Sequence, residues 1–174
     1  MTWKAVSETR LREREKRLGA FFCEDGQYAE MGRSLSSYTE KTAPIEGVSF
    51  GWYGESVDRL KDAVLRVEEK WCRYFDGAAR VFCAYVDREI VSFCIVEEDA
   101  DCLLSDSFHK VGSIGCVGTL PEYRGRGIGL RLVDLATVFL KKAGCEAAYI
   151  GYTHLDFWYE RLGYQVVARF SLTQ

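Results

Sequence analysis

Apolar residues recur along this chain in two rhythms, and the points where one rhythm gives way to the other mark out its elements. Leu60, Val64, Val67, Trp71 and Tyr74 come at steps of three and four, which predicts a helix over residues 56–75 that Asp76-Gly77 stops. Residues 81–86 and 90–96 are rich in β-branched and aromatic side chains and are joined by Asp87-Arg88-Glu89, so they predict an antiparallel hairpin. Residues 48–53 read as an earlier strand between Gly47 and Gly54, and the apolar run from Ile114 to Leu120 reads as a buried central one. Leu130, Leu132, Val133, Leu135, Ala136, Phe139 and Leu140 mark a second long helix, closed by Lys141, Lys142 and Gly144. A strand over 147–152, a short helix over 156–162 ended by Gly163, and a last strand over 164–170 complete the series. The order predicts an α/β fold of the mixed α+β kind, a mixed sheet with helices on its faces.

The first 46 residues read differently. Ser7 caps a helical pattern over residues 7–22, in which Glu8 and Glu13 precede Arg12 and Arg17 by four and Leu11, Leu18 and Phe22 share one side. Tyr28, Met31, Leu35 and Tyr38 then fall at helix spacing, before a break at Thr42-Ala43-Pro44. Neither helix buries enough surface alone. Residues 1–46 are therefore expected to form a helical N-terminal extension, packed on a main domain over 47–174 or on a partner subunit, with a partly mobile arm as the alternative.

Composition narrows the class. A chain of 174 residues, 48% hydrophobic, is long enough for one domain with a full core. The net charge of −3 is spread among mixed acids and bases, and the arginines between 10 and 17 are interleaved with glutamates, so no basic face points to nucleic acid. Seven cysteines form no Cys-x-x-Cys pair and only two histidines exist, so no metal site is expected and the thiols read as reduced and buried. The start lacks the apolar core of a signal peptide and no run is long enough to span a membrane, so the expectation is a cytoplasmic protein without a membrane partner.

The candidate chemistry lies between the central strand and the helix after it. Pro121-Glu122-Tyr123 breaks the strand, and Arg124-Gly125-Arg126-Gly127-Ile128-Gly129 leads directly into the helix. A helix start leaves main-chain N–H groups unpaired and carries partial positive charge, and glycines let the chain approach a ligand closely, so strand, glycine turn and helix together suit an anion. A nucleotide P-loop is excluded because no Gly-Lys-Ser/Thr follows at its spacing. A dinucleotide fingerprint is excluded because its third glycine would fall on Leu130. What remains is Arg-x-x-Gly-x-Gly, with an ordinary strand-to-helix turn as the alternative.

That pattern resembles the acetyl-CoA signature of the GNAT N-acetyltransferase superfamily, Gln/Arg-x-x-Gly-x-Gly/Ala. About thirty residues on, Phe157-Trp158-Tyr159-Glu160-Arg161-Leu162-Gly163-Tyr164 is similar to the family's Phe-Tyr-Glu-Lys-Leu-Gly-Phe segment. The resemblance covers residues 81–170 well and the earlier strand and helix plausibly. It implies a GNAT-like twisted sheet and an acetyl-CoA-dependent N-acetyltransferase acting directly on a primary amine of a small molecule or peptide. A non-catalytic CoA sensor or scaffold and a transferase for a longer acyl-CoA are the alternatives, and a homodimer is left open.

Residue by residue, the resemblance implies that main-chain amides from Gly125 through Gly127, Ile128 and Gly129 to Leu130 hold the CoA pyrophosphate, with Arg124 and Arg126 adding charge. The main chain of Val117 and Thr119 pairs with the pantetheine arm where the central strand and its successor splay apart. Tyr159 falls where members place a tyrosine near the thioester sulfur, suited to protonating the departing thiolate as general acid. An irregularity near Cys116 to Gly118 would expose an N–H to the developing oxyanion. Some members carry Glu or His at positions that here hold Ser113 and Gly115, which leaves the side-chain base open: Glu97 and Glu98 are candidates, directly or through water, with a solvated acidic loop that attracts a cationic acceptor as the alternative. Cys116 reads as a buried strand residue rather than a nucleophile, because no histidine is placed beside it. The family commonly ends with two strands after the last helix, whereas one fits here. The vacant sheet position is expected to close by direct pairing or to be filled by the extension or another subunit.

Overall fold

The structure, a computed structural model, describes residues 6–173. Among these, eight strands make a mixed sheet with helices at its faces. Its residues group into two compact units: one holds the chain up to Tyr38, Glu98–Ser113 and the chain from Leu140 onward, the other Thr39–Glu97 with Ile114–Phe139. A single strand, β6 (Val111–Thr119), begins in the first and ends in the second.

In the first unit α1 (Glu8–Leu18) starts at Ser7, whose hydroxyl accepts the Arg10 N–H at 3.3 Å, and stops at Gly19 with φ 62°. It buries no residue of its own. Leu11 packs half-buried against the core, and ion pairs add to the hold: Arg10 reaches Asp101 at 2.6 Å and Asp106 at 2.7 Å, and Arg14 reaches Glu30 at 2.9 Å. The stretch from Glu97 to Lys110, polar by sequence, nonetheless plants Cys102, Leu103 and Leu104 in a core with Val111, Ala147 and Tyr149.

The expected second helix does not form. Tyr28–Ser34 is a strand, β2, and Ala20–Phe22 is a shorter one, β1. The helical spacing of Tyr28, Met31, Leu35 and Tyr38 is a coincidence of period. Met31 is buried with Ala29 and Glu30 in a strand covered on both faces, while Leu35 and Tyr38, also buried, lie just beyond its end. β2 pairs antiparallel with β7 (Ala147–Thr153) on one edge and β8 (Gln165–Leu172) on the other, and β8 also pairs with β1, giving the order β1-β8-β2-β7-β6. The N-terminal segment thus occupies the sheet position that a second C-terminal strand would have taken. β6 and β7 run parallel over Val111–Ala147, Gly112–Ala148 and Ser113–Tyr149. α4 (Asp156–Tyr159) continues as a 3-10 turn to Leu162 and ends at Gly163, φ 79°.

The second unit has the order β6-β5-β4-β3. β4 (Val81–Val86) and β5 (Glu89–Glu97) form the expected hairpin, with a tighter connection than expected: Val86 pairs with Glu89, and Asp87 and Arg88 both take positive φ, the two-residue turn that suits strand twist. β3 (Ser49–Trp52) pairs with β4. The long predicted helix divides into α2 (Val57–Leu65), capped by Ser56, and a 3-10 helix, Glu69–Tyr74, begun by the Glu68 carboxylate accepting the Lys70 N–H at 3.0 Å. Leu60, Val64 and Phe75 pack on Val81, Cys83 and Phe93, and this core fixes the face of β5 and β6 behind the glycine turn.

Candidate functional site

The turn is built by the end of β6, a 3-10 turn at Pro121–Tyr123 and α3 (Ile128–Lys142). Gly125 and Gly127 both adopt left-handed φ, 75° and 78°, where an L side chain is strained. Space around them is open: a Cβ on Gly125 would meet nothing within 4 Å, and one on Gly127 only Ile45 Cδ1, at 4.0 Å. Residues 124–127 are exposed, whereas Ile128, Gly129 and Leu130 are buried and anchor the helix. The Arg131 N–H donates to the Gly127 carbonyl at 3.0 Å, so the N–H groups just before it have no helical acceptor and stand at the mouth of the turn. Arg126 lies 5.4 Å from the Tyr123 ring, and Arg124 Nε donates to the Thr119 carbonyl at 3.0 Å, folding the turn back onto β6.

β6 is irregular at the place the sequence singled out. Cys116 takes φ 48°, in the left-handed region, inside a strand. Beyond it the Leu120 N–H donates to the Val91 carbonyl of β5 at 2.9 Å, so alternation turns the main-chain groups of Val117 and Thr119 away from β5. Buried Ser92 donates to the Gly118 carbonyl at 2.8 Å and shares a hydrogen bond with the Thr119 hydroxyl. Gly118 has no room for a side chain, since a Cβ would lie 2.5 Å from the Phe93 ring. Burial pushes the Cys116 thiol up to about 11, so at neutral pH it is a thiol rather than a nucleophilic thiolate.

A network that the sequence reading missed holds the helix start. Asp134, fully buried, accepts from the Lys41 N–H at 2.8 Å, the Thr42 N–H at 2.7 Å and the Thr42 hydroxyl at 2.6 Å. Arg131 donates to Glu40 at 2.8 Å and to the Thr42 carbonyl at 2.7 Å. The signal was an Arg and an Asp within the apolar stretch of α3, where buried charge demands a partner.

Of the other residues singled out, Glu97 is exposed at the end of β5, and Glu98 is half-buried with its carboxylate 3.9 Å from Lys110 Nζ. Tyr159, in the first unit, is 5% exposed, its ring edge-on to Trp158 at 4.8 Å and near Tyr164 at 6.2 Å. Trp52 stacks under Arg80 at 4.0 Å and meets Phe139 edge-on, Tyr53 and Trp71 pack on the core of the second unit, and Tyr74 is exposed. No group of three His, Cys, Asp or Glu side chains among the described residues is arranged to hold a metal ion. None of their helices is long and apolar enough to cross a membrane.

Comparison with known proteins places this geometry. The family model described as "Acetyltransferase (GNAT) family" matches residues 45–164. An amino-acid acetyltransferase of Edwardsiella ictaluri (strain 93-146) is 25% identical over 87 residues, 47% of this chain and 20% of that protein. The GCN5-related glucosamine N-acetyltransferase region of a fungal multi-domain GH3 β-N-acetylglucosaminidase superposes with a TM-score of 0.72 at 20% identity, over 91% of this chain and 22% of that one. A GCN5-related N-acetyltransferase from Sphaerobacter thermophilus superposes with a TM-score of 0.62 at 19% identity, over 95% of this chain and 56% of that one. The chain thus spans about a fifth of the length of the curated relative, and the structural likenesses speak for the fold.

Proposed function

Because the chain belongs to the GNAT acetyltransferase family, we propose that it moves an acetyl group from acetyl-CoA directly to a primary amine. The observation that carries this reading is the pair of left-handed glycines, 125 and 127, holding open an exposed turn ahead of unpaired helix N–H groups. A diphosphate there gains hydrogen bonds and the field of α3 together. Arg124 and Arg126 add positive charge. The main chain of Val117 and Thr119, turned away from β5, takes the pantetheine arm as an added strand would.

The chemistry has three requirements. The amine must be neutral to attack, the carbonyl oxygen must be stabilised as charge gathers on it, and the thiolate must be protonated as it leaves. The left-handed kink at Cys116 reorients the neighbouring N–H groups and so suits them to the oxyanion. Tyr159 is the acid in this reading. Glu97 and Glu98 draw a cationic acceptor toward the site.

A small molecule or a peptide end meets these requirements equally. Thiol release from acetyl-CoA over a panel of polyamines, amino acids, amino sugars and peptides tests the reading. Turnover with at least one amine supports it. CoA binding without turnover on any would favour a sensor instead, and preference for a longer acyl chain would redefine the donor.

A further inference from the structure

We propose that a cavity in the first unit, with Arg33 and Glu160 in its lining, binds a free α-amino acid, Arg33 taking the carboxylate and Glu160 the ammonium. The proposal goes beyond the acetyl-transfer reading and does not depend on it.

The cavity has a volume of about 540 Å³, an ordinary size for a small-molecule site. Its lining is Arg33 from β2, Glu160 and Gly163 from the turn that ends α4, and Tyr164, Gln165 and Val166 leading into β8. All six belong to the first unit. β2 and β8 are paired neighbours there, with Gly32 opposite Gln165, so the ladder itself sets Arg33 beside the start of β8.

Arg33 is held in place without being neutralised. Its guanidinium carbon stands 5.6 Å from the centre of the Tyr38 ring, and it passes so close to Gly163 that a Cβ there would lie 3.2 Å from it and 3.3 Å from Nη1. Gly163 has φ 79°, so the turn and the guanidinium both call for glycine. Nε is buried with no hydrogen-bond partner, and among the described residues the guanidinium makes no hydrogen bond or ion pair. A buried donor left unmatched is costly, and a charged one more so. A fork of donors already oriented by ring and main chain loses little freedom when a carboxylate arrives, and two carboxylate oxygens match it in pairs.

Glu160 decides which anion fits. It is exposed, and its carboxylate likewise makes no ion pair among the described residues, with Arg33 or with any other cation. Two opposite charges thus line one cavity without pairing. A phosphate or dicarboxylate placed on Arg33 meets repulsion from Glu160, and a bare cation on Glu160 meets repulsion from Arg33. A ligand carrying a carboxylate and an ammonium close together satisfies both, and that is the head group of an α-amino acid. Tyr164, buried, and Val166, half-buried, offer its side chain an apolar surface. The carboxylate of Glu160 keeps the ammonium protonated and so not nucleophilic, and the amino acid is held here without being acetylated.

Calorimetric titration of the full chain with alanine, leucine, glutamine and arginine near neutral pH tests the site. At least one should saturate at one molecule per chain with a Kd of about 0.1–1 mM. Its amide, which lacks the carboxylate, and its N-acetyl form, which lacks the ammonium, should each bind at least about tenfold more weakly. Arg33→Met should weaken binding by at least about tenfold while Tm stays level or rises, since an unpaired charge gives way to an apolar side chain. Glu160→Gln should erase the preference for the amino acid over its N-acetyl form. No saturation by any of the four up to about 10 mM, equal binding of the amide and N-acetyl forms, unchanged binding in Arg33→Met, or tighter binding of inorganic phosphate would each overturn the proposal.

Discussion

Asp134, in the body of the helix behind the glycine turn, holds Thr42 twice, through its main-chain N–H at 2.7 Å and its hydroxyl at 2.6 Å. The segment it secures continues to Ile45, the one side chain within reach of a Cβ at Gly127. The helix start and the chain beside it are thereby locked as one piece.

Asp134→Ala removes a buried carboxylate that accepts three part-buried hydrogen bonds, from the Lys41 and Thr42 N–H groups and the Thr42 hydroxyl. It should cost about 2–4 kcal/mol of stability and lower Tm by roughly 5–15 °C. Thermal unfolding measures this, and a shift under about 2 °C would show that the clasp contributes little.

Gly26→Ala is expected to be worse. A Cβ there would lie 2.4–2.6 Å from the main-chain N, C and O of Phe170, atoms that cannot swing aside. The loss should be about 3 kcal/mol or more, read from the urea midpoint. Gly125→Ala, with open space around it, should unfold within about 1–2 kcal/mol of wild type, bearing only its φ penalty.

Glu30 ties stability to pH with a definite sign. Its pKa rises from 4.5 to about 7 on folding, so the native state holds the proton more tightly than the unfolded chain does. The contribution is greatest below about pH 4.5, falls as pH rises toward 7, and is flat above, with a total on the order of 3 kcal/mol. Glu30→Gln, fixed in the neutral form, should lack this fall. Equal slopes of unfolding free energy against pH in the two proteins would contradict it.

Cys116 should be slow to alkylate. With its thiol pushed up to about 11, only about one molecule in a thousand carries the thiolate near pH 8. Cys116→Ala should keep turnover within about fivefold, as befits direct transfer; loss of activity together with a trapped acetyl-cysteine would instead indicate a covalent intermediate.

Much of this molecule was legible in the order of its residues, and the limits have physical causes. The hairpin, the glycine turn and the helix after it are local structures, dictated by turn chemistry and periodicity over a few neighbours. β2 was not. Tyr28, Met31, Leu35 and Tyr38 satisfy a helical period as well as a buried strand does, and only pairing with β7 and β8, more than a hundred residues away, decides between them. Read as a helix, Glu30 falls on a solvated face; in the strand it is a buried carboxylate. Its burial therefore had no local signal. Asp134 and Arg131 did leave one, as charges inside an apolar helix, but their partners lie some ninety residues earlier.

The central claim is that main-chain donors at the start of α3 grip a diphosphate, and calorimetric titration of the purified protein with CoA tests it most directly. Saturable binding in the micromolar range is expected, about −8 kcal/mol, weakened at least about tenfold by Gly127→Val, which crowds a left-handed position, or by replacing CoA with pantetheine, which lacks the diphosphate. Absence of saturable heat with CoA, or equal affinity for pantetheine, would contradict it.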